Sequence, residues 1–158
     1  MKTHGSRARD RGPGSDPRPI PSPFLARKGG DLAGPAMVLL AALVAVAPQL
    51  IRGNSCGHDF DVHLVSWFDC ASAWRHGILY PHWTPSANYG AGEPRFVFYP
   101  PLTWMFGAAL GLVIPWSFVP TALTFLLLAG TGLATRALAR QVWDEPQATL
   151  AGCAAIFS

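Results

Sequence analysis

Charged side chains are scarce in this sequence of 158 residues: Asp, Glu, Lys and Arg make up only 13% of it. Soluble domains carry about 25%. Hydrophobic residues make up 50%, so the composition argues against an ordinary soluble domain and favours a membrane protein. The few charges are also segregated, because residues 1–34 hold seven of the twelve cations: Lys2, Arg7, Arg9, Arg11, Arg18, Arg27 and Lys28.

Cysteine is equally scarce. Cys56, Cys70 and Cys153 have neither the spacing of a metal site nor the number that a disulfide framework needs. Because no Cys or His pairs recur at the usual intervals, the sequence also argues against a zinc site. Two alternatives stay open for Cys56 and Cys70, namely a disulfide bridge in an oxidising compartment or a pair of free thiols.

The basic segment 1–31 lacks both helical periodicity and interleaved aromatic residues. Although Lys and Arg clusters bind phosphates, these absences argue against a nucleic-acid partner. Its Gly, Pro, Ser and Arg content cannot bury enough apolar surface to offset the entropy of ordering. We therefore predict a disordered, basic tail that remains in the cytoplasm beside the membrane.

Residues 32–51 form the first long run without a charge, and about 20 apolar residues suffice for a helix to cross the hydrocarbon. Cations precede this run and few follow it, which predicts a transmembrane helix with a cytoplasmic amino terminus. A cleaved signal peptide is the alternative, since Ala45, Val46 and Ala47 imitate a cleavage site. The 31-residue lead and Pro48 after the supposed cut argue against cleavage.

A second uncharged run, residues 96–135, is twice as long as one span requires. Prolines break it, and they predict a surface helix at 102–114 followed by a second transmembrane helix at 117–135. The alternative in which both segments cross would place Arg136 and Arg140 outside, against the usual cation bias.

The remaining residues complete the predicted organisation. Residues 136–146 are predicted to form a cytoplasmic turn, and the apolar run 147–158 is too short to cross a bilayer. We interpret it as the start of a third transmembrane helix and therefore expect the chain to be a fragment. The predicted fold class is all-α, with multi-pass transmembrane helices and a large extracytoplasmic loop at 52–116.

Apolar residues in the loop follow a helical period between residues 60 and 76, at Phe60, Leu64, Trp67, Phe68, Ala71 and Trp74. A stripe of this kind, rich in tryptophan, suits a membrane–water interface. It predicts an amphipathic surface helix that lies flat on the outer leaflet, with docking of a partner protein as the alternative.

Acidic and histidine residues cluster at the start of this helix, in GHDFDVH, residues 57–63. If the segment is helical, Asp59 and His63 share a face and Asp61 points away. If it is extended, all three side chains line one face. Either arrangement could hold a divalent cation such as Mg²⁺ or Mn²⁺, for which Asp59 and Asp61 supply hard oxygen ligands. The alternative is an ordinary polar loop at a membrane surface.

Two turn-rich segments follow, and both carry aromatic residues between glycines and prolines. We predict substrate contacts at His82, Trp83, Asn88 and Tyr89, because rings in such a loop can stack on a sugar. Packing on the lipid surface is the alternative, and residues 88–90 could equally form only a tight turn.

Three motifs in order, HDFDVH, HGILYPHW and NYGAGEPRFVFYPPLTW, resemble the first external loop of bacterial membrane proteins of the 6-pyruvoyl-tetrahydropterin synthase-related family. The layout is also similar to GT-C glycosyltransferases, integral membrane enzymes that take sugars from polyprenyl-phosphate donors at the outer face. The resemblance covers about residues 32–158. It implies a bacterial inner-membrane location and a loop carboxylate that binds a metal or assists the acceptor, first Asp59 and then Asp61.

Three functions follow from these expectations. In the first, a lipid-linked sugar binds the loop, and Asp59, assisted by Asp61 and His63, holds a metal or deprotonates an acceptor hydroxyl. In the second, the chain is a non-catalytic membrane component or transporter that only contacts membrane lipid. In the third, the chain is a truncated fragment without activity of its own.

Overall fold

The computed structural model of the protein describes residues 32–54, 57 and 59–158. Within these residues the secondary structure consists of helices and no β-strand, which confirms the all-α prediction. The predicted tail at 1–31 lies outside the described residues. The α-helices are α1 (Ala33–Arg52), α2 (Phe60–Arg75), α3 (Arg95–Phe98), α4 (Pro101–Gly111), α5 (Val119–Ala139) and α6 (Glu145–Ala154), and a single 3₁₀ turn covers Asn88–Gly90.

Helices α1 and α5 are both long and apolar enough to cross a membrane, by length and composition. Only 22% of the most apolar 18-residue stretch of α1 and 28% of that of α5 is buried within the chain. The core helix of a soluble protein buries far more of its apolar surface. Most of the apolar surface of both helices is therefore exposed within the described part of the chain.

Glycines allow α1, α5 and α6 to pack closely as a three-helix bundle. A Cβ atom added at Gly132 of α5 would lie 2.9 Å from the carbonyl oxygen of Gly152 in α6, and one added at Gly152 would lie 2.7 Å from that of Gly132. Val38 of α1 packs against both glycines. Small residues are the usual means by which membrane helices approach one another.

A buried arginine lies at one end of this bundle. Arg136 is 6% exposed, pairs with Glu145 of α6 and donates from Nε to Thr149 Oγ1 over 3.2 Å. Arg140 pairs with the same carboxylate at 2.6 Å. The predicted helix ends at residue 135 because of the Arg136 charge, but α5 continues to Ala139. The connection is therefore shorter than the predicted 136–146, because the ion pair lets Arg136 remain in the helix.

The segment between α1 and α5 folds around an apolar core, and we call it the loop module (residues 59–118). Its core forms where α4 packs on α2, and a Cβ atom added at Gly107 of α4 would lie 2.3 Å from Trp67 Cγ. This core contains Trp67, Cys70, Ala71, Phe96, Trp104 and Ala108, and it continues into Val119 and Leu123 of α5.

The apolar stripe of α2 packs inside the loop module, whereas the sequence predicted that it lies on lipid. Trp67 and Ala71 are 6% and 0% exposed, and Leu64 and Trp74 pack against the same core, whereas Phe68 keeps half of its surface exposed. The stripe therefore faces α4 and Phe96, because apolar partners within the chain were available to cover it. Helix α4 ends at Gly111 rather than at the predicted residue 114.

Candidate functional site

The predicted acid and histidine residues lie at the amino-terminal end of α2, close to the end of α1. Asp59, Asp61 and His63 are all exposed. Because α2 begins at Phe60 and the His63 N–H donates to the Asp59 carbonyl over 3.1 Å, the helical alternative applies, with Asp59 and His63 on one side. Asp61 Oδ1 accepts a hydrogen bond from the Val62 N–H over 2.9 Å. The register thus favours His63 over Asp61 as the partner of Asp59.

A cleft with a volume of 240 Å³ opens beside His63, where the loop module meets α1 and α5. Phe60, Leu123 and Leu127 supply apolar walls, while Gln49, Asn54 and Thr103 supply polar groups. We call this the His63 cleft. The indole N–H of Trp67, which also lines it, and the Gln49 side-chain oxygen are buried and have no hydrogen-bond partner among the described residues.

Polar contacts fix the end of α1 to the start of α5 beside the His63 cleft. Asn54 Nδ2 donates to the Ser117 carbonyl over 3.0 Å, and Thr121 Oγ1 donates to Asn54 Oδ1 over 3.0 Å. The His63 ring stacks on Trp67, with centroids 6.4 Å apart and planes inclined by 26°. These contacts hold the mouth of the cleft at the junction of helices from both regions.

Arg95 connects the turn-rich segment to α2. Its Nη1 group donates to the Val62 carbonyl over 2.8 Å and to Ser66 Oγ over 2.9 Å, and the guanidinium pairs with Glu93. The Arg95 side chain is only 11% exposed. The hydrogen bond from Arg95 is the main cause that lowers the pKa of Glu93 below its ordinary value. This ion pair therefore depends on an ionised Glu93.

The predicted substrate residues Asn88 and Tyr89 lie at the tip of a closed loop. Thr84 and Glu93 exchange backbone hydrogen bonds of 2.9 and 3.2 Å at the base of this loop. Asn88 Nδ2 donates to Glu93 Oε2 over 3.1 Å, so this side chain holds the turn. Tyr89 is fully exposed and has φ 59°, which is rare for a residue other than glycine. Both residues therefore form a tight turn, and substrate contact by them stays a prediction.

The predicted residues His82 and Trp83 line a separate cavity with a volume of 320 Å³. Asp69, Ser72 and His76 of α2 and its carboxyl end form the opposite wall. We call this the Asp69 cavity. Asp69 is 4% exposed and accepts from Ser86 twice, from the backbone N–H over 2.9 Å and from Oγ over 2.6 Å.

Sequence reasoning missed Asp69 and Arg95. Asp69 interrupts an apolar stretch between Phe68 and Cys70, and Arg95 is the one cation in residues 76–135. A charged residue in apolar surroundings is normally paired. The sequence therefore indicated that both residues have partners, but not which ones.

The thiol of Cys70 lies in the core of the loop module. Cys70 is free, and burial raises its pKa to about 12, so it remains protonated and unreactive near neutral pH. Cys56, its partner in the alternative with a disulfide bridge, lies outside the described residues, as does His58.

No group of three His, Cys, Asp or Glu side chains converges as a metal cluster within residues 32–54, 57 and 59–158. Mg²⁺ is commonly held by one or two carboxylates together with substrate phosphates.

The chain matches no protein-family model, no curated protein and no solved structure.

Proposed function

We propose that this chain is a glycosyltransferase-like membrane protein of the bacterial inner membrane that binds a polyprenyl-phosphate-linked sugar in the His63 cleft. The loop module would lie at the outer face and the amino terminus in the cytoplasm. The observation that supports the proposal is the composition of the cleft: apolar walls from Phe60, Leu123 and Leu127 lie beside exposed His63. A prenyl chain requires apolar walls, whereas its phosphate and sugar require polar groups.

The position of the cleft supports a membrane-embedded donor. It opens where the ends of α1 and α5 meet the loop module, and these are the two helices that are long and apolar enough to cross a membrane. A lipid substrate could therefore enter from the bilayer side while its head group remains near α2. Gln49 and Trp67 offer a buried acceptor and a buried donor there.

The resemblance to GT-C enzymes assigns the chemistry to the carboxylate in this loop. In our proposal Asp59 deprotonates the acceptor hydroxyl, and His63, one helical turn away, orients the reacting groups. A positioned general base contributes about 10²- to 10⁴-fold to the rate. In the alternative role Asp59 would instead be the protein ligand of a divalent Mg²⁺ or Mn²⁺ ion, which would neutralise phosphate charge.

Transfer of sugar from a polyprenyl-phosphate donor in proteoliposomes tests this proposal with the pair Asp59→Asn and Asp61→Asn. Asp59→Asn should lower turnover at least about 100-fold, as loss of a general base predicts. Asp61→Asn is the matched control, because Asp61 points away from His63, and it should lower turnover less than about tenfold. Both variants should insert into the membrane like the parent. Equal turnover of the parent and Asp59→Asn would remove Asp59 from the mechanism.

A second function is that of a non-catalytic membrane component or transporter, whose loop module only contacts membrane lipid. This alternative predicts that the lipid-linked sugar binds without transfer and that added Mg²⁺ or Mn²⁺ has no effect.

A further inference from the structure

We propose that the Asp69 cavity is a binding site for a neutral saccharide ring of the substrate, away from the reacting group because Asp69 lies ten residues, about 15 Å, along α2 from Asp59. This inference rests on the proposed function for its substrate class and adds a subsite for a sugar unit that does not itself react. At 320 Å³ the Asp69 cavity is larger than the 240 Å³ His63 cleft. It also reaches the range of about 300–1,000 Å³ that is typical of small-molecule sites.

Asp69 gives the cavity a fixed hydrogen-bond acceptor. Its two bonds from Ser86 hold the carboxylate in place, although Ser86 is 17 residues away in sequence. An ionised carboxylate offers about four lone-pair sites, so two are left for neighbouring hydroxyl groups. Because the carboxylate is already positioned, a ligand would lose little affinity to ordering of this side chain.

Trp83 gives the cavity an aromatic surface. The indole packs against the backbone of Gly92, where φ is +75° and an added Cβ atom would lie 2.3 Å from Trp83 Nε1. Glycine is therefore required beneath the ring. The indole still exposes 53% of its surface. Pro81 and Pro85 extend the apolar wall beside Trp83, and such a surface suits the C–H face of a sugar.

The two histidines add polar groups at the rim of the cavity. His76 Nδ1 lies 2.8 Å from the Ser72 carbonyl oxygen. A carbonyl can only accept, so Nδ1 donates this bond and Nε2 is left for another partner. His82 is held edge-on to Tyr80, with ring centroids 5.6 Å apart.

The chemistry of the lining selects a neutral polyol. The Asp69 carboxylate disfavours an anion such as phosphate. The ligand types present do not form a metal cluster among the described residues. A carboxylate, two imidazoles and an exposed indole around one cavity are instead the groups that hold hydroxyls and a ring.

Calorimetric titration of the full chain in nanodiscs tests the proposal, with methyl glycosides of glucose, mannose and galactose and with N-acetylglucosamine as probes. At least one probe should bind saturably. Loss of a hydrogen bond to a charged group weakens binding roughly 10- to 100-fold, so Asp69→Asn should show a loss in this range. Trp83→Ala and His82→Ala should each weaken binding at least about threefold.

Trp143→Ala is the matched control, because Trp143 is 56% exposed at the other end of α5, and it should bind the probes like the parent. Asp69 also ties Ser86 to α2, so Trp83→Ala and His82→Ala, which replace exposed side chains, keep the test independent of folding. Saturation by none of the four probes would overturn the proposal, as would parental affinity in both exposed-residue variants. Because binding is measured without turnover, failure here is separable from failure of the Asp59 transfer assay.

Discussion

The three-helix bundle and the loop module achieve close packing by opposite means. In the bundle, glycines 132 and 152 bring two backbones together beside the buried Arg136. In the loop module, Gly107 instead makes room for the large ring of Trp67, and polar side chains such as Asp69 and Arg95 fasten the loops. Small residues dominate contacts between membrane helices, whereas aromatic residues with hydrogen-bonding edges suit a water interface. The two regions therefore differ in the kind of residue that lets their helices pack closely.

The bundle should be most sensitive at its buried charge. Arg136→Ala removes a buried side chain together with its pair to Glu145. Because Glu145 is 30% exposed and keeps Arg140, we expect the lower end of the cost of breaking a buried pair, about 3 kcal/mol of unfolding free energy. Arg140→Ala is the control, since Arg140 contacts the same carboxylate but is 46% exposed, and it should cost less than about 1 kcal/mol. Denaturant unfolding in detergent, followed by circular dichroism, measures both. Equal losses would show that burial of Arg136 contributes nothing.

A similar loss of unfolding free energy is expected where the backbones of α5 and α6 are in contact. Gly152→Ala places a methyl group 2.7 Å from the Gly132 carbonyl oxygen, and because neither backbone can move freely we expect a loss of about 3 kcal/mol. Gly130→Ala, on an open face of α5 with nothing within 4 Å, should instead gain up to about 1 kcal/mol from helix propensity. The same unfolding assay applies, and a neutral Gly152→Ala would contradict the close approach of α5 and α6.

A matching change in the loop module tests whether the two regions open separately. Gly107→Ala drives a methyl group into Trp67 and should cost about 2 kcal/mol. Maleimide labelling in a Cys56→Ser background reports on both regions, because Cys70 is buried in the loop module and Cys153 packs in the bundle. We expect faster labelling of Cys70 with unchanged labelling of Cys153. Equal acceleration at both sites would mean that the regions unfold as one unit.

Acid should loosen the loop module by the smallest amount. The pKa of Glu93 is lowered in the folded chain, so the Arg95 pair stabilises the fold above the unfolded pKa. This contribution is lost as pH falls through the lowered value. In denaturant unfolding followed by tryptophan fluorescence, the free energy of unfolding should therefore fall below about pH 4.5, the ordinary value for Glu. Glu93→Gln should remove that dependence, and a persistent dependence would assign it to another carboxylate.

The sequence predicted α1 and α5 from their charge-free lengths, but it placed the end of α5 too early. Charge alone ends a predicted span at residue 135, whereas the Glu145 carboxylate, nine positions further on, neutralises Arg136 within the helix. The helical period of the apolar residues in α2 was also visible in the sequence. A period alone does not show which surface those residues pack against. Here α4 covers them, through contacts such as that between Trp67 and Gly107.

The sequence predicted the relative positions of site residues only where they are close together in the chain. Asp59 and His63 are one turn apart, so their shared side follows from helical register. Asp69 and Arg95 instead bond to groups 17 and 33 positions away, and no local pattern reveals such partners. His82 and Trp83 were singled out as turn aromatics, but the wall opposite them comes from α2. That juxtaposition depends on the tertiary fold.

The closed loop between Thr84 and Glu93 is a suitable insertion site for an epitope that reports the membrane topology of the chain. Its base is fastened by paired backbone hydrogen bonds, while Tyr89 protrudes fully at the apex. A short epitope inserted after Tyr89 would lengthen the apex without disturbing that base. An antibody that stains this epitope on unpermeabilised spheroplasts would place the amino-terminal end of α2 on the periplasmic side.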